Sequence, residues 1–176
     1  MSREKIIALA FVAAALAGCS KPDANKGVAS TQPDPPPAAA ASAAPANGPL
    51  TISIPKLGLK GLGAGETEAP IVGDGDPILV MASSFTVDVS AAKGTDPKTM
   101  KDGQKASKMF NPQGMITETL PDGWALTFTN TGSAGTNYFV SIRRQIGGKG
   151  YMCESAQSTP DQQKAAVAFC KSLTSA

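Results

Sequence analysis

Between residues 115 and 156 large apolar residues alternate with polar ones in four runs, 115–120, 124–130, 138–146 and 150–156. A period of two predicts strands, with Trp124, Leu126 and Phe128 on one face and Val140 with Ile142 on one face of the next strand. The connectors Pro121-Asp122-Gly123, loop 131–137 and Gly147-Gly148-Lys149 are too short for anything but antiparallel neighbours. Upstream, residues 50–54 alternate as a short strand, and residues 77–89 hold two apolar runs around Ser83-Ser84 that read as one strand or two. Between them Gly58, Gly61, Gly63 and Gly65 punctuate a stretch poor in large apolar residues, which predicts loop with marginal strand.

Two segments change to the helical period. Asp96-Pro97 reads as a cap with proline at the first helical position, opening a helix to about Phe110 that Asn111-Pro112 closes. Thr159 and Pro160 open a second helix, Gln162 completes a capping box, and Ala166, Phe169, Cys170 and Leu173 fall on one buried stripe. The expected fold is α+β: an antiparallel sheet built on a meander of about four strands plus one or two N-terminal strands, with two packed helices.

The first 49 residues belong to no such pattern. An apolar run over residues 6–17 follows Arg3 and Lys5, the layout of a signal peptide over residues 1–18. Its 12 residues would span about 18 Å as a helix, against a hydrocarbon core of about 30 Å. Residues 19–49 are rich in Ala, Pro and small polar residues, including Pro35-Pro36-Pro37 and four consecutive alanines. Such a stretch buries too little surface to offset its ordering entropy, which predicts a disordered tether. The globular domain is then residues 50–176, best defined over 78–174. Of 9 aromatic residues, 8 fall between Phe85 and Phe169, so the large-residue core is expected in that half.

The run Leu16-Ala17-Gly18-Cys19 resembles the lipobox of bacterial lipoproteins. The resemblance implies a thioether-linked diacylglycerol on Cys19, cleavage before it and acylation of the new amino group. Several acyl chains, at about 0.8 kcal/mol per buried methylene, anchor a protein permanently. Ser20 after the cysteine implies sorting to the outer membrane, with the domain facing the periplasm and surface exposure the other possibility. A second resemblance rests on element order over residues 80–174, a meander followed by a capped helix running into Lys171-Ser172-Leu173. That order resembles the Mog1/PsbP-like family of small domains, and implies an accessory or binding module without transferring any site residue.

With Cys19 carrying lipid, Cys153 and Cys170 remain, an even number in an oxidising compartment, which predicts a disulfide between a strand and the apolar stripe of the second helix. Two separate buried thiols are the alternative. The chain has no histidine, which excludes a Ser-His-Asp centre and any metal site that needs imidazole. A net charge of +2 is too balanced for a whole-molecule grip on nucleic acid.

The remaining chemistry is sparse. Ser90-Ala91-Ala92-Lys93 matches the SxxK pattern of a serine nucleophile with a lysine base, at a frequency chance alone supplies, and no companion motif follows. Glu66, Glu68, Asp74 and Asp76 are an acidic group without EF-hand spacing, and no metal or cofactor is expected. The glycines of 61–65 faintly suggest a phosphate loop, but no helix follows them. Lys98, Lys101, Lys105 and Lys108 recur along one side of the first helix, opposite Thr99, Ala106 and Phe110; such a stripe could touch an anionic envelope polymer, lipid headgroups or an acidic envelope protein. The expected function is a lipid-anchored, non-enzymatic binding or accessory domain. A small envelope hydrolase, or an inhibitor of an incoming hydrolase, is the alternative.

Overall fold

The computed structural model describes residues 48–176. The leader, the lipobox with Cys19 and the Ala/Pro-rich stretch up to residue 47 lie outside the described residues. The strands are β1 (Leu50–Ile54), β2 (Leu59–Gly63), β3 (Ile71–Val72), β4 (Ile78–Met81), β5 (Thr86–Ala91), β6 (Gln113–Leu120), β7 (Gly123–Gly132), β8 (Gly135–Ile146), β9 (Lys149–Gln157) and β10 (Thr174–Ser175). The helices are α1 (Met100–Ser107), continued by one 3-10 turn over Lys108–Phe110, and α2 (Pro160–Ser172). This is the α+β class that the periodicity predicts.

The meander β6 to β9 forms with the expected antiparallel pairing. Its last turn is Gly147-Gly148, both at positive φ (57° and 77°), the backbone that a tight two-residue hairpin requires. The strand order β3-β4-β5-β9-β8-β7-β6 gives seven strands in one antiparallel sheet. Chain direction alternates along that order, so β5 and β6 run the same way, and the segment joining them must cross one face of the sheet. That crossing carries α1. The segment after β9 carries α2, which packs on the opposite face.

Alternation now acquires a physical meaning on both faces. Toward α2 point Val87, Val89, Cys153, Ile142, Val140 and Ala125, which pack with Ala166, Phe169, Cys170 and Leu173. The last four, three in α2 and Leu173 at its C-cap, are all fully buried, as their spacing predicts. Toward α1 point Trp124, Leu126, Phe128 and Met152, a second and smaller cluster.

Four expectations need correction. Residues 58–65 hold more than the expected loop with marginal strand, because β2 occupies Leu59–Gly63 and pairs with β1 on one side and β10 on the other. Leu59, Gly61 and Gly63 all face inward, and a Cβ on Gly61 would sit 2.6 Å from the Phe169 ring. Glycine here marks close approach within a strand. Second, β1 belongs to this separate three-stranded sheet, and not to the large one. That small sheet brings Ile52, Ile54 and Leu59 into the main core, where they join Phe85, Tyr151 and Phe169. Third, α1 starts later than Pro97. Thr99 is its cap: its hydroxyl accepts from the Asp102 N–H at 3.2 Å, and the Thr99 N–H donates to the Asp102 carboxylate at 3.1 Å. A reciprocal box satisfies two end groups at once and outcompetes the Asp96 start. Fourth, α1 buries Gly103 and Ser107, whereas Ala106 is exposed.

Candidate functional site

Cys153 and Cys170 are paired as a disulfide with their Cα atoms 5.8 Å apart, joining β9 to α2. Arg144, on the same sheet face, reinforces this junction. Its Nε donates to both oxygens of Asp122 at 2.8 and 2.9 Å, and its Nη1 donates to the carbonyls of Cys170 and Lys171. A guanidinium there satisfies the last carbonyls of α2 and opposes the negative end of its dipole. Arg143, its chain neighbour, points to the other face, as strand alternation dictates.

Of the acidic residues near the glycine-rich stretch, the side chains of Glu66 and Asp76 are engaged within the fold. Glu66 is buried and accepts from the Ser83 N–H at 2.8 Å, the Ser83 hydroxyl at 2.7 Å, the Ser84 N–H at 3.0 Å and the Ser84 hydroxyl. Burial alone would raise its carboxyl, but the serine hydroxyls and the two backbone donors outweigh it, and the group is held below the ordinary range. The clamp fixes the turn between β4 and β5. Asp76 pairs with Lys93 at 3.4 Å, and Lys56 donates to the carbonyls of Asp74 and Gly75. The Lys93–Asp76 pair is a surface one, both side chains being 60% exposed, and the Lys93 N–H donates to Asp96 at 2.6 Å. Nothing in this arrangement turns the lysine toward Ser90 as a base.

The four lysines singled out in the sequence are all exposed. Lys101, Lys105 and Lys108 lie on the side of α1 and its 3-10 extension away from Gly103 and Ser107, hence away from the sheet; Lys98 precedes the cap.

What the sequence did not suggest is how little α1 covers. Eight residues make a helix about 12 Å long, whereas seven strands spread about 29 Å. The helix sits on Trp124, because Gly103 has no Cβ to hold the indole away. Beside it, a cleft of about 280 Å³ opens between Ala106, Ser107 and Met109 on one wall and β5, β9 and β8 on the floor. Phe128 and Phe139 stack at 4.7 Å within it, and Phe110 tilts against Phe139 at 5.2 Å. The Asn130 side chain donates to the Phe110 carbonyl, fixing the end of the 3-10 turn.

The polar part of the floor is acidic. Asp88 and Glu154 are direct register partners on β5 and β9, and Glu154 faces Ser141 on β8. Glu154 is open to solvent on the cleft side, yet the surrounding protein withdraws enough water to raise its carboxyl above the ordinary range. The Ser141 hydroxyl, donating at 2.9 Å, opposes that shift, while the charges of Asp96 and Asp88 add to it.

A larger groove, about 520 Å³, lies on the other face between β6 and α2, lined by Ile116, Val167 and Ala168. Glu118 and Lys171 form an ion pair across it, so its charges are already matched. Comparison with family models and with curated proteins finds no match.

Proposed function

We propose that this chain is a lipoprotein held in the outer membrane through Cys19, and that its folded domain stands in the periplasm and acts there by binding, without catalysis, cofactor or nucleic acid. Support for the anchor is the run Leu16-Ala17-Gly18-Cys19 directly after an apolar segment, with Ser20 favouring the outer membrane. The Cys153–Cys170 pair suits an oxidising compartment. The observation that carries the binding reading is the lopsided cover of the large sheet. One face is packed by α2 and the small sheet, while the other keeps an aromatic and acidic cleft open beside α1. Concave sites that join apolar walls to a few polar groups are where ligands are held. The alternative of a small hydrolase using Ser90 and Lys93 has less support, because the sequence holds no histidine and no companion motif to the SxxK match.

The test is made in cells. A photo-crosslinking residue at Ala156, on the cleft floor, should give a discrete adduct, and the same residue at Asp161, exposed in the first turn of α2, should not. Absence of an adduct at Ala156, or equal adducts at both positions, refutes the reading. Separately, Cys19→Ser should move the protein from the membrane to the soluble fraction; retention in the membrane refutes the anchor.

A further inference from the structure

We infer that the open half of the large sheet receives a polypeptide segment that combines basic with apolar side chains. This rests on the binding reading above and names the chemistry of the ligand. Two parallel rows run across the strands on this face. The first is apolar at both ends: Ile71 and Met81 are cross-strand partners, 65% and 38% exposed, Thr86 and Ala156 form its middle, and the row ends at Phe139 with Phe110 beside it. From β3 to β8 it crosses four strand spacings, about 19 Å.

The second row is acidic, with Asp88 opposite Glu154. Like charges placed directly opposite each other destabilise a sheet. Among the described residues the ion pairs are Lys93–Asp76, Arg144–Asp122, Lys164–Asp161 and Lys171–Glu118, and none includes either carboxylate. A lysine or arginine side chain laid between the rows would cover the aromatic surface with its methylenes and place its charge between the two carboxylates.

The length of the apolar row argues for a peptide and against a small amine. The cleft itself has room for one or two side chains, whereas the row continues past it to Ile71. Charge argues against an anionic lipid surface, which the acidic row repels. A second copy of this chain is also a poor match, because its lysines 101, 105 and 108 stand on a helix side whose packing residues point away from them.

The experiment measures binding of labelled peptides by fluorescence anisotropy to the full-length protein in zwitterionic nanodiscs, with empty nanodiscs as the blank. The probe is a blocked heptapeptide alternating leucine and phenylalanine with lysine, and the comparison peptide has glutamate in place of each lysine. The lysine peptide should bind at least tenfold tighter than the glutamate peptide. Asp88→Asn combined with Glu154→Gln should weaken it at least tenfold, and Met81→Gln, which removes apolar surface without adding charge, should weaken it at least threefold, while Lys101→Gln with Lys105→Gln should leave it unchanged. Equal binding of the two peptides, failure of the lysine peptide to bind, or indifference to the cleft variants overturns the inference. Concentration-dependent dimerisation that Met81→Gln abolishes also overturns it, by identifying a second copy as the occupant. The crosslinking test separates the two failures: an adduct at Ala156 without peptide binding leaves the binding reading and removes only the ligand class.

Discussion

Replacing Gly103 by alanine tests how α1 is seated. A Cβ built there would lie 2.7 Å from Cη2, 3.0 Å from Cζ3 and 3.2 Å from Cζ2 of Trp124. Comfortable carbon contacts begin near 3.5 Å, so either the indole or the helix must retreat by up to about 1 Å. The indole is 4% exposed and packs with Leu126, Phe128 and Met152, so the short helix is the part that yields. Overpacking of this kind costs about 1–3 kcal/mol, opposed by about 1 kcal/mol from replacing glycine inside a helix. The net expectation is a loss of about 1 kcal/mol, or roughly 3–5 °C in midpoint for a domain of this size. Trp124 is the only tryptophan, so its emission reports the displacement directly. The measurements are thermal unfolding and fluorescence of Gly103→Ala beside Lys105→Ala, a change on the exposed side of the same helix. A higher midpoint for Gly103→Ala with unchanged emission would mean that helix propensity alone decides, and would refute the close seating of α1.

The remaining predictions concern the rest of the frame. Gly123→Ala would put a Cβ 1.9 Å from the Arg143 carbonyl oxygen, a backbone atom that cannot rotate away. Urea unfolding should show a loss of about 3 kcal/mol or more, and a loss below about 1 kcal/mol refutes that register. Replacing Cys153 and Cys170 together by serine should remove about 3 kcal/mol from a link closing 17 residues; two free thiols in native protein from an oxidising preparation refute the pairing. Glu66→Gln should lower stability at pH 7 by about 1–3 kcal/mol, since the buried carboxylate holds four donors. Its folded carboxyl is lowered, so its contribution is complete above the unfolded value and is lost as pH falls through the folded one; the variant's deficit should therefore shrink in acid. Glu154→Gln should show the opposite sign. A raised folded carboxyl costs stability as pH rises through it, so this variant should be more stable than the parent at pH 7 and converge with it below the unfolded carboxylate range. Unfolding midpoints from pH 3 to 8 check both.

The parts of the fold that the sequence announces are those in which one local rule acts alone. The meander alternates with period two and its connectors are short, so four strands and their pairing are legible. The second helix carries cap, proline and stripe together, and Thr159 does accept from the Gln162 N–H at 3.2 Å. The return bond of the expected box goes instead to the Ser158 N–H. Where tertiary contact overrides local preference, the pattern misleads. Gly61 and Gly103 look like interruptions, yet each is the place where an aromatic ring touches a backbone, Phe169 in one case and Trp124 in the other. No periodicity reports that a glycine faces a ring, because the partner lies 108 residues away for Gly61 and 21 for Gly103. The cleft was hidden for the same reason. Asp88 and Glu154 are 66 positions apart and meet only because β5 pairs with the last strand of the meander. An available signal was that Asp88 interrupts an apolar strand and Glu154 follows a buried cysteine, placing both carboxylates on the face shared with Trp124.

The order of elements explains why one sheet face stays open. A chain that leaves β5 and re-enters at the far edge must cross three intervening strands, and residues 92–112 do so with only a two-turn helix, one 3-10 turn and short loops. A longer helix would cover Phe139 and shield the acidic row; this one stops at Ser107, and its 3-10 extension presents Phe110 to the cleft, 44% exposed. The chain therefore carries two costs on one surface, exposed aromatic and aliphatic area and opposed like charges. Folding gains nothing from either, and single substitutions at Met81 or Glu154 would remove them. Departures from local rules that lack a structural return are expected where a site is kept for a ligand. Both costs decline together under one kind of ligand, because the same basic and apolar segment covers the hydrophobic row and neutralises the carboxylates.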